Sequence, residues 1–145
     1  MYSIDGFQTI IVGGSRGIGK ALVLGFIEAN AKVTIFDINQ PDFDGDFNFI
    51  QCDLNDQTSI KIALKEYHKN NISAKVLVNC AAITLPGESH LYSDDDWFHS
   101  LSINLSGIFF LCRAVGKNMI ENEIKGSIIN FTSIGAEQGF ANNPG

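Results

Sequence analysis

Five short apolar segments recur along the chain and alternate with segments of helical periodicity. The apolar segments are rich in Val, Ile and Phe, and they occupy residues 7–13, 31–37, 47–53, 74–82 and 126–133. Near-continuous apolar strands of this kind are typical of a parallel sheet that is covered on both faces. Strand and helix alternate with short connections, so the sequence predicts an α/β fold in which a doubly wound parallel sheet forms one domain over residues 1–145.

The segments between the strands have apolar residues at helical spacing. The first helix is predicted from Ile18, Ala21, Leu22, Gly25 and Ala29, and the second from Ile60, Ala63, Leu64 and Tyr67, with Asn55 or Asp56 as its N-cap. A long helical region is expected over residues 93–119, where Asp94–Asp96 favour a helix start. We expect one apolar face on this region, made of Leu101, Leu105, Ile108, Phe109 and Cys112.

Composition and charge exclude several classes of protein. The net charge is −6 and the ten Lys and Arg residues are scattered, whereas a nucleic-acid surface is basic and clustered. The three cysteines lie far apart without a CxxC pair, which argues against a disulfide framework or a metal site. The first residues, MYSIDGFQT, contain no secretory leader, and no apolar run approaches the roughly 18 residues that span a bilayer. We therefore expect a cytoplasmic protein with no metal, no membrane and no nucleic acid.

A glycine-rich loop, VGGSRGIG, follows the first strand and opens the first helix. Glycine lets the backbone approach a pyrophosphate, and the helix start offers free N–H groups and the positive end of its dipole. The sequence predicts a dinucleotide cradle made of Gly13, Ser15, Arg16, Gly17, Ile18 and Gly19. Asp37 ends the second strand, and Ile38 follows it. A carboxylate at that position accepts hydrogen bonds from ribose hydroxyls and repels a 2′-phosphate, which favours NAD over NADP, although Arg16 in the loop argues for NADP.

The Gly-x-x-x-Gly-x-Gly spacing resembles the short-chain dehydrogenase/reductase family, whose loop usually begins with threonine where this chain has Val12. Other segments follow in the family's order, over about residues 7 to 140. They are CDL at 52–54, NCAA at 79–82, Asn104 within SINLSGIFFLC, and IINFTS at 128–133. In NCAA, Asn79 and Ala81 match the family's Asn-Asn-Ala-Gly, while Cys80 and Ala82 depart from it.

The resemblance implies roles for these residues. Asp53 would contact the amino group of the adenine, Leu54 would contact its face, and Asn79 and Ala81 would bind the cofactor. Asn104 would hold a water molecule of the proton relay, and Ser133 would be the catalytic serine that polarises the carbonyl or alcohol. The implied reaction is hydride transfer between a nicotinamide and a carbonyl or secondary alcohol of a small-molecule substrate.

The family's chemistry also needs a tyrosine followed four residues later by a lysine, and the sequence contains no such pair. We therefore expect the N-terminal part of a longer reductase, a fold incomplete at its C-terminal end, with the fifth strand as an exposed edge. This chain alone is expected to lack activity, and the full-length form to be a homo-oligomer, a dimer or tetramer, partly through residues 101–112.

Two alternatives remain. One is a cofactor-binding but catalytically inactive module, or one half of a complemented pair. The other is a methyltransferase that uses S-adenosylmethionine, against which the loop spacing and the series Asn79, Asn104, Ser133 argue.

Overall fold

The five strands form a single parallel sheet in the computed structural model, which describes residues 3–143. Their order across the sheet is β3-β2-β1-β4-β5. The strands are β1 (Gln8–Val12), β2 (Lys32–Asp37), β3 (Phe47–Gln51), β4 (Val76–Asn79) and β5 (Ser127–Asn130). The predicted doubly wound α/β fold is confirmed, and the order of the strands changes direction at β1, beside β4.

Each strand is shorter than its apolar segment. Segment 74–82, for example, pairs with its neighbours only over Val76–Asn79, and segment 126–133 pairs only over Ser127–Asn130. The residues that follow the last ladder pairs leave the sheet at the carboxyl ends of the strands. Their small or apolar side chains form loops there, and ligands of open α/β sheets bind at this edge.

Helices cover both faces of the sheet. Helix α1 (Gly17–Glu28) packs on one face through Val23, against Ile11 and Ile35. Helix α2 (Gln57–Tyr67) covers the other face, and Tyr67 packs edge-to-face on Phe36. Asp56, one of the two expected N-caps, accepts a 2.7 Å hydrogen bond from the Thr58 N–H.

The expected long helix is present but irregular. It consists of α3 (Asp94–Leu101), a π-helical segment (Ser102–Gly107) and α4 (Ile108–Glu121). Ser93 caps α3 by accepting from the Asp96 N–H, with three aspartates in the first turn as expected. Leu111, Val115 and Met119 form the buried face of α4.

The apolar face expected for this helix is only partly correct. Ile108 and Cys112 pack against the core, whereas Leu105 and Phe109 are 62% and 55% exposed. The helix is apolar on nearly all sides, so its periodicity alone cannot select the side that meets the sheet.

By length and composition, Asp94–Glu121 could also cross a membrane, because its 28 residues contain an 18-residue window of mean hydropathy 1.3. This differs from the expectation that no such segment exists. Within that window 22% of the residues are buried, and the buried Leu111, Val115 and Met119 of α4 belong to the core on the α2 side of the sheet.

Strand β5 lies at the edge of the sheet, as expected. Its neighbour β4 is buried throughout, whereas all four residues of β5 are exposed. Ile129 is 44% exposed on the α1 side of the sheet and Phe131 is 46% exposed. The layer formed by α1 therefore does not extend over β5.

Candidate cofactor site

The glycine-rich loop makes a tight turn between β1 and α1. Gly13 and Gly17 have φ angles of +77° and +56°, a region that residues with a side chain rarely adopt. A Cβ on Gly19 would lie 2.0 Å from the Gly13 carbonyl oxygen. A Cβ on Gly13 would lie 2.7 Å from the backbone of Ala81. The loop thus packs backbone against backbone, and a side chain on Gly13 or Gly19 would force the loop to move.

The start of α1 has no side-chain cap. Its N-cap residue is Arg16, which makes no capping hydrogen bond, and the first turn contains no acidic residue. The first N–H groups of an α-helix have no partner within the helix, so those of Gly17, Ile18 and Gly19 point toward the loop. These donors, together with the helix dipole, make a site for an anion such as a pyrophosphate.

A cavity of about 290 Å³ lies in front of this helix start, at the carboxyl edge of the sheet. Nine of the twelve residues predicted to bind the cofactor line it: Gly13, Arg16, Gly17, Ile18, Gly19, Asp37, Ile38, Leu54 and Ala81. The loop after β1, the end of β2, the turn after β3 and the segment after β4 therefore converge on one cavity.

Asp37 lies at the end of β2, at the wall of the cavity, and both of its carboxylate oxygens accept backbone hydrogen bonds. Oδ2 accepts from the Ser15 N–H and Oδ1 from the Asn39 N–H, each at 3.0 Å. The hydroxyl of Ser15 donates to the Asn39 carbonyl at 2.6 Å. Ser15 is only 5% exposed and does not line the cavity, so it lies behind Asp37 rather than beside the space for a ligand.

The turn after β3 brings Cys52 and Leu54 to the cavity, but not Asp53. The Asp53 carboxylate accepts a 2.8 Å hydrogen bond from the Asn55 N–H, and its own N–H donates to Ser59 Oγ. This is the local turn of an Asx motif. Burial, with a smaller contribution from Asp53 and then Asp37, raises the pKa of the Cys52 thiol from 9.0 to about 12, so Cys52 is neutral at the cavity wall.

The segment after β4 supplies Cys80, Ala81, Ala82 and Ile83 to the cavity, but the side chain of Asn79 is turned away from it. Asn79 is 2% exposed and donates through Nδ2 to Asn130 Oδ1 at 2.7 Å and to Cys112 Sγ at 3.3 Å. It therefore ties β4 to β5 and α4 beneath the cavity. Val12, which stands where the resemblance expects a threonine, is linked to the segment after β4 through the backbone, because the Cys80 N–H donates to the Val12 carbonyl at 2.9 Å.

The two residues expected to be catalytic, Asn104 and Ser133, do not line this cavity. Asn104 lies in the π-helical segment and binds the main chain of Ile83, accepting from its N–H at 2.9 Å and donating to its carbonyl at 2.8 Å. Because Ile83 lines the cavity, Asn104 fixes part of the wall. Ser133 is exposed after β5, where its Oγ accepts from the Gly135 N–H at 3.1 Å and its own proton remains available to donate.

Sequence reasoning missed several residues of the site. Six residues line the cavity although none of them was predicted to bind the cofactor: Asn39, Cys52, Cys80, Ala82, Ile83 and Ile103. Gly107 was also missed, although a Cβ there would lie 2.4 Å from the Leu54 carbonyl oxygen, so the glycine lets the helix approach the turn after β3. The available signal was position, because these residues lie within four positions of the end of β2, β3 or β4 or within one turn of Asn104. Within residues 3–143, no three His, Cys, Asp or Glu side chains are grouped closely enough to hold a metal ion.

A sequence profile of the family described as short chain dehydrogenase matches residues 8–145. The chain is 32% identical over 149 residues to the 3-oxoacyl-[acyl-carrier-protein] reductase FabG of Chlamydia pneumoniae. That alignment covers 96% of this chain and 60% of the reductase. A short chain dehydrogenase from Leptospira borgpetersenii with bound NAD+ superposes with a TM-score of 0.90 at 28% identity, over 95% of this chain and 56% of that one.

A gluconate 5-dehydrogenase from Burkholderia cenocepacia in complex with NADP and tartrate gives a TM-score of 0.87 at 28% identity, over 97% of this chain and 59% of that one. The chain thus spans no more than 60% of the length of these three proteins.

Proposed function

This chain belongs to the short chain dehydrogenase family, and we propose that it is the cofactor-binding part of a nicotinamide-dependent oxidoreductase. The proposed reaction is hydride transfer between the cofactor and a carbonyl or secondary alcohol of a small-molecule substrate. The proposal rests on one observation, the arrangement at the start of α1. The helix start has no side-chain cap, and the glycine loop before it has no room for a Cβ on Gly19. The helix start and the loop both line the cavity that Asp37 also lines.

The residues of the cavity fit such a cofactor. The free N–H groups of Gly17, Ile18 and Gly19 would hold the pyrophosphate, as the positive end of the α1 dipole favours. Leu54 offers an apolar surface to the adenine, and Asp37 would accept hydrogen bonds from the ribose hydroxyls. When bound, the nicotinamide supplies or accepts the hydride, and the protein contributes its orientation and electrostatics.

We further propose that the preferred cofactor is NAD(H). Residues 33–60 contain no Lys or Arg, and their six acidic side chains are Asp37, Asp42, Asp44, Asp46, Asp53 and Asp56. Within this stretch only Asp42 is paired, with Lys20 Nζ at 3.6 Å. A 2′-phosphate carries a charge of about −1.5 to −2 at pH 7, so it would meet repulsion from Asp37 that outweighs the attraction of the exposed Arg16.

The test is a titration of the chain with NAD+ and NADP+ by calorimetry, with Asp37→Ala as the comparison. We expect the wild type to bind NAD+ at least tenfold more tightly, and Asp37→Ala to lose most of this preference, since like charges in contact cost several kcal/mol. Tighter binding of NADP+ by the wild type would refute the choice of NAD(H). Failure to bind either nucleotide would refute the proposed function itself.

A second candidate is a module that binds the cofactor without turnover. None of the tyrosines Tyr2, Tyr67 and Tyr92 is followed four residues later by a lysine. We therefore propose that this chain alone does not catalyse hydride transfer, and that Ser133 and Asn104 act when the family's proton-transfer groups are supplied. Absorbance at 340 nm during incubation with NADH and a panel of ketones tests this, and sustained turnover by this chain alone would contradict it.

We also propose that the full-length protein is a homo-oligomer located in the cytoplasm. The exposed stripe of Phe98, Leu105 and Phe109 along α3, the π-helical segment and α4 supports self-association, because apolar patches of this kind mark interfaces. Cys52, Cys80 and Cys112 are free thiols, as in a reducing compartment. Light scattering and cell fractionation test these two proposals; a monomer at micromolar concentration or a secreted protein would refute them.

A further inference from the structure

Ser15, Asp37 and Asn39 close a ring of three hydrogen bonds at the wall of the cavity. The Ser15 N–H donates to Asp37 Oδ2, the Asn39 N–H donates to Asp37 Oδ1, and Ser15 Oγ donates to the Asn39 carbonyl. The distances are 3.0, 3.0 and 2.6 Å. Each residue takes part in two of the three bonds. Rotation of the Asp37 side chain would break both of its bonds, and rotation of the Ser15 side chain would break the Oγ bond that holds Asn39. We call this arrangement the Ser15–Asp37–Asn39 ring.

Ser15 occupies the buried side of the ring. It is 5% exposed, whereas Asp37 and Asn39 both line the cavity. Both polar groups of Ser15 that could bind an anion, its N–H and its hydroxyl, are already used inside the ring. A phosphate could use them only after the ring had opened.

The ring also fixes how many hydrogen bonds Asp37 can still accept. An ionised carboxylate has about four lone-pair positions, two on each oxygen. One position on each oxygen is filled by a backbone N–H, which leaves one free acceptor position on each. Two free acceptors side by side match two neighbouring hydroxyl groups, such as the 2′- and 3′-hydroxyls of a ribose. A 2′-phosphate removes one of these donors and adds negative charge.

We propose that Ser15 is a positioning residue that acts through Asp37: it locks the carboxylate in place and so selects an adenosine ribose with two free hydroxyls over one with a 2′-phosphate. This inference rests on the proposed function and deepens it, because it assigns the nucleotide preference to a buried residue that does not line the cavity. In place of the direct contact expected from the sequence, Ser15 has an indirect role.

Ser15→Ala removes the hydroxyl bond to Asn39 and leaves the backbone N–H in place. We expect the affinity for ADP-ribose to fall about two- to tenfold, the range of one hydrogen bond, and the affinity for its 2′-phosphate derivative to stay the same or rise. The dissociation constant of the 2′-phosphate derivative divided by that of ADP-ribose therefore falls. Ser15→Thr keeps a hydroxyl at the same position and is expected to keep most of the ratio.

The experiment is isothermal titration of ADP-ribose and 2′-phospho-ADP-ribose into the wild type, Ser15→Ala, Ser15→Thr, Asp37→Ala and the double variant Ser15→Ala/Asp37→Ala. Neither ligand contains nicotinamide, so the readout is independent of catalysis. If Ser15 acts through Asp37, its substitution changes the ratio in the wild-type background but not in the Asp37→Ala background.

Equal weakening of both ligands by Ser15→Ala would overturn the inference, because a purely structural defect does not distinguish them. An unchanged effect of Ser15→Ala in the Asp37→Ala background would also overturn it. In both cases the wild type still binds ADP-ribose, and the proposed function stands. A wild type that binds neither ligand overturns the proposed function together with this inference.

Discussion

Gly19 provides the sharpest test of the cofactor cradle. In Gly19→Ala, the new Cβ would lie 2.0 Å from the Gly13 carbonyl oxygen and 2.8 Å from the Gly13 carbonyl carbon. Ordinary contact begins at 3.4 Å, so the loop or the helix must move by about 1.4 Å, the difference between 3.4 and 2.0 Å. Both partners are backbone atoms, so no side chain can rotate to relieve the contact.

Two opposing terms set the effect on stability. Alanine is favoured over glycine inside a helix by about 1 kcal/mol. Forcing an extra methyl group into a packed site costs about 1–3 kcal/mol. We therefore expect the free energy of unfolding of Gly19→Ala to change by between about 0 and −2 kcal/mol, which leaves the variant folded.

The effect on binding is expected to be larger, because the N–H groups of Gly17, Ile18 and Gly19 would be displaced from the pyrophosphate that they are proposed to hold. A hydrogen bond to a charged group contributes about 1.5–3 kcal/mol, so losing one lowers the affinity for NAD+ by about 10- to 150-fold. Calorimetric titration with NAD+ measures it, and urea unfolding of the same samples measures stability. Gly25→Ala is the matched control, since Gly25 lies on the same helix and a Cβ added there would have no atom of another residue within 4 Å beyond its own helix backbone and chain neighbours. It should gain about 0.5–1 kcal/mol and bind NAD+ unchanged. Unchanged NAD+ affinity in Gly19→Ala would refute the assignment of this loop as the cradle.

Three further predictions follow from other parts of the molecule. Asn104→Ala removes both hydrogen bonds to Ile83, so we expect unfolding in urea to show a loss of about 1–3 kcal/mol; an unaltered midpoint would contradict that role. In the proposed homo-oligomer of the full-length protein, Phe109→Glu would place a charge on the exposed stripe of Phe98, Leu105 and Phe109 and should lower the molar mass measured by light scattering. Ile120→Glu, at a position 79% exposed near the end of α4, should leave that molar mass unchanged. The pKa of Cys52 is about 12 in the folded protein and 9.0 when the thiol is exposed, so above pH 9 the unfolded chain loses a proton that the folded protein keeps. The free energy of unfolding should therefore be unaffected by this group below about pH 9 and fall by up to about 1.4 kcal/mol per pH unit toward pH 12. Equal alkaline slopes of the free energy of unfolding for wild type and Cys52→Ala would contradict this.

The strands and the cradle could be predicted because both depend on local patterns. Continuous apolar segments identified all five strands, and the position of the glycine loop between β1 and α1 identified the helix start. The ends of the strands could not be predicted, because apolar residues such as Cys80 and Ala81 continue the pattern after the ladder has ended. Those residues line the cavity instead of extending the sheet.

The roles of individual polar residues were harder to predict, because they depend on partners distant in the sequence. Asn79 bonds to Asn130, 51 positions away, and Ser15 bonds to Asp37, 22 positions away. Spacing within one segment contains no information on such pairs. The predicted contact of Asp53 with the adenine stays a prediction: its carboxylate accepts from the Asn55 N–H, and Asp53 does not line the cavity.

The π-helical segment gives this part of the chain a tolerance of deletion that a regular helix lacks. A π-helical turn holds more residues than an α-helical one, so Ser102–Gly107 contains an insertion relative to a regular helix. Deleting one residue there would let the wide turn become a regular α-helical turn, so α3 and α4 would keep the faces that they present to the rest of the fold. Deleting one residue within α4 would instead rotate everything before the deletion by about 100° relative to everything after it. Deep mutational scanning should therefore find deletion of the exposed Leu105 less damaging than single deletions within Ile108–Glu121, with equal damage as the contrary result.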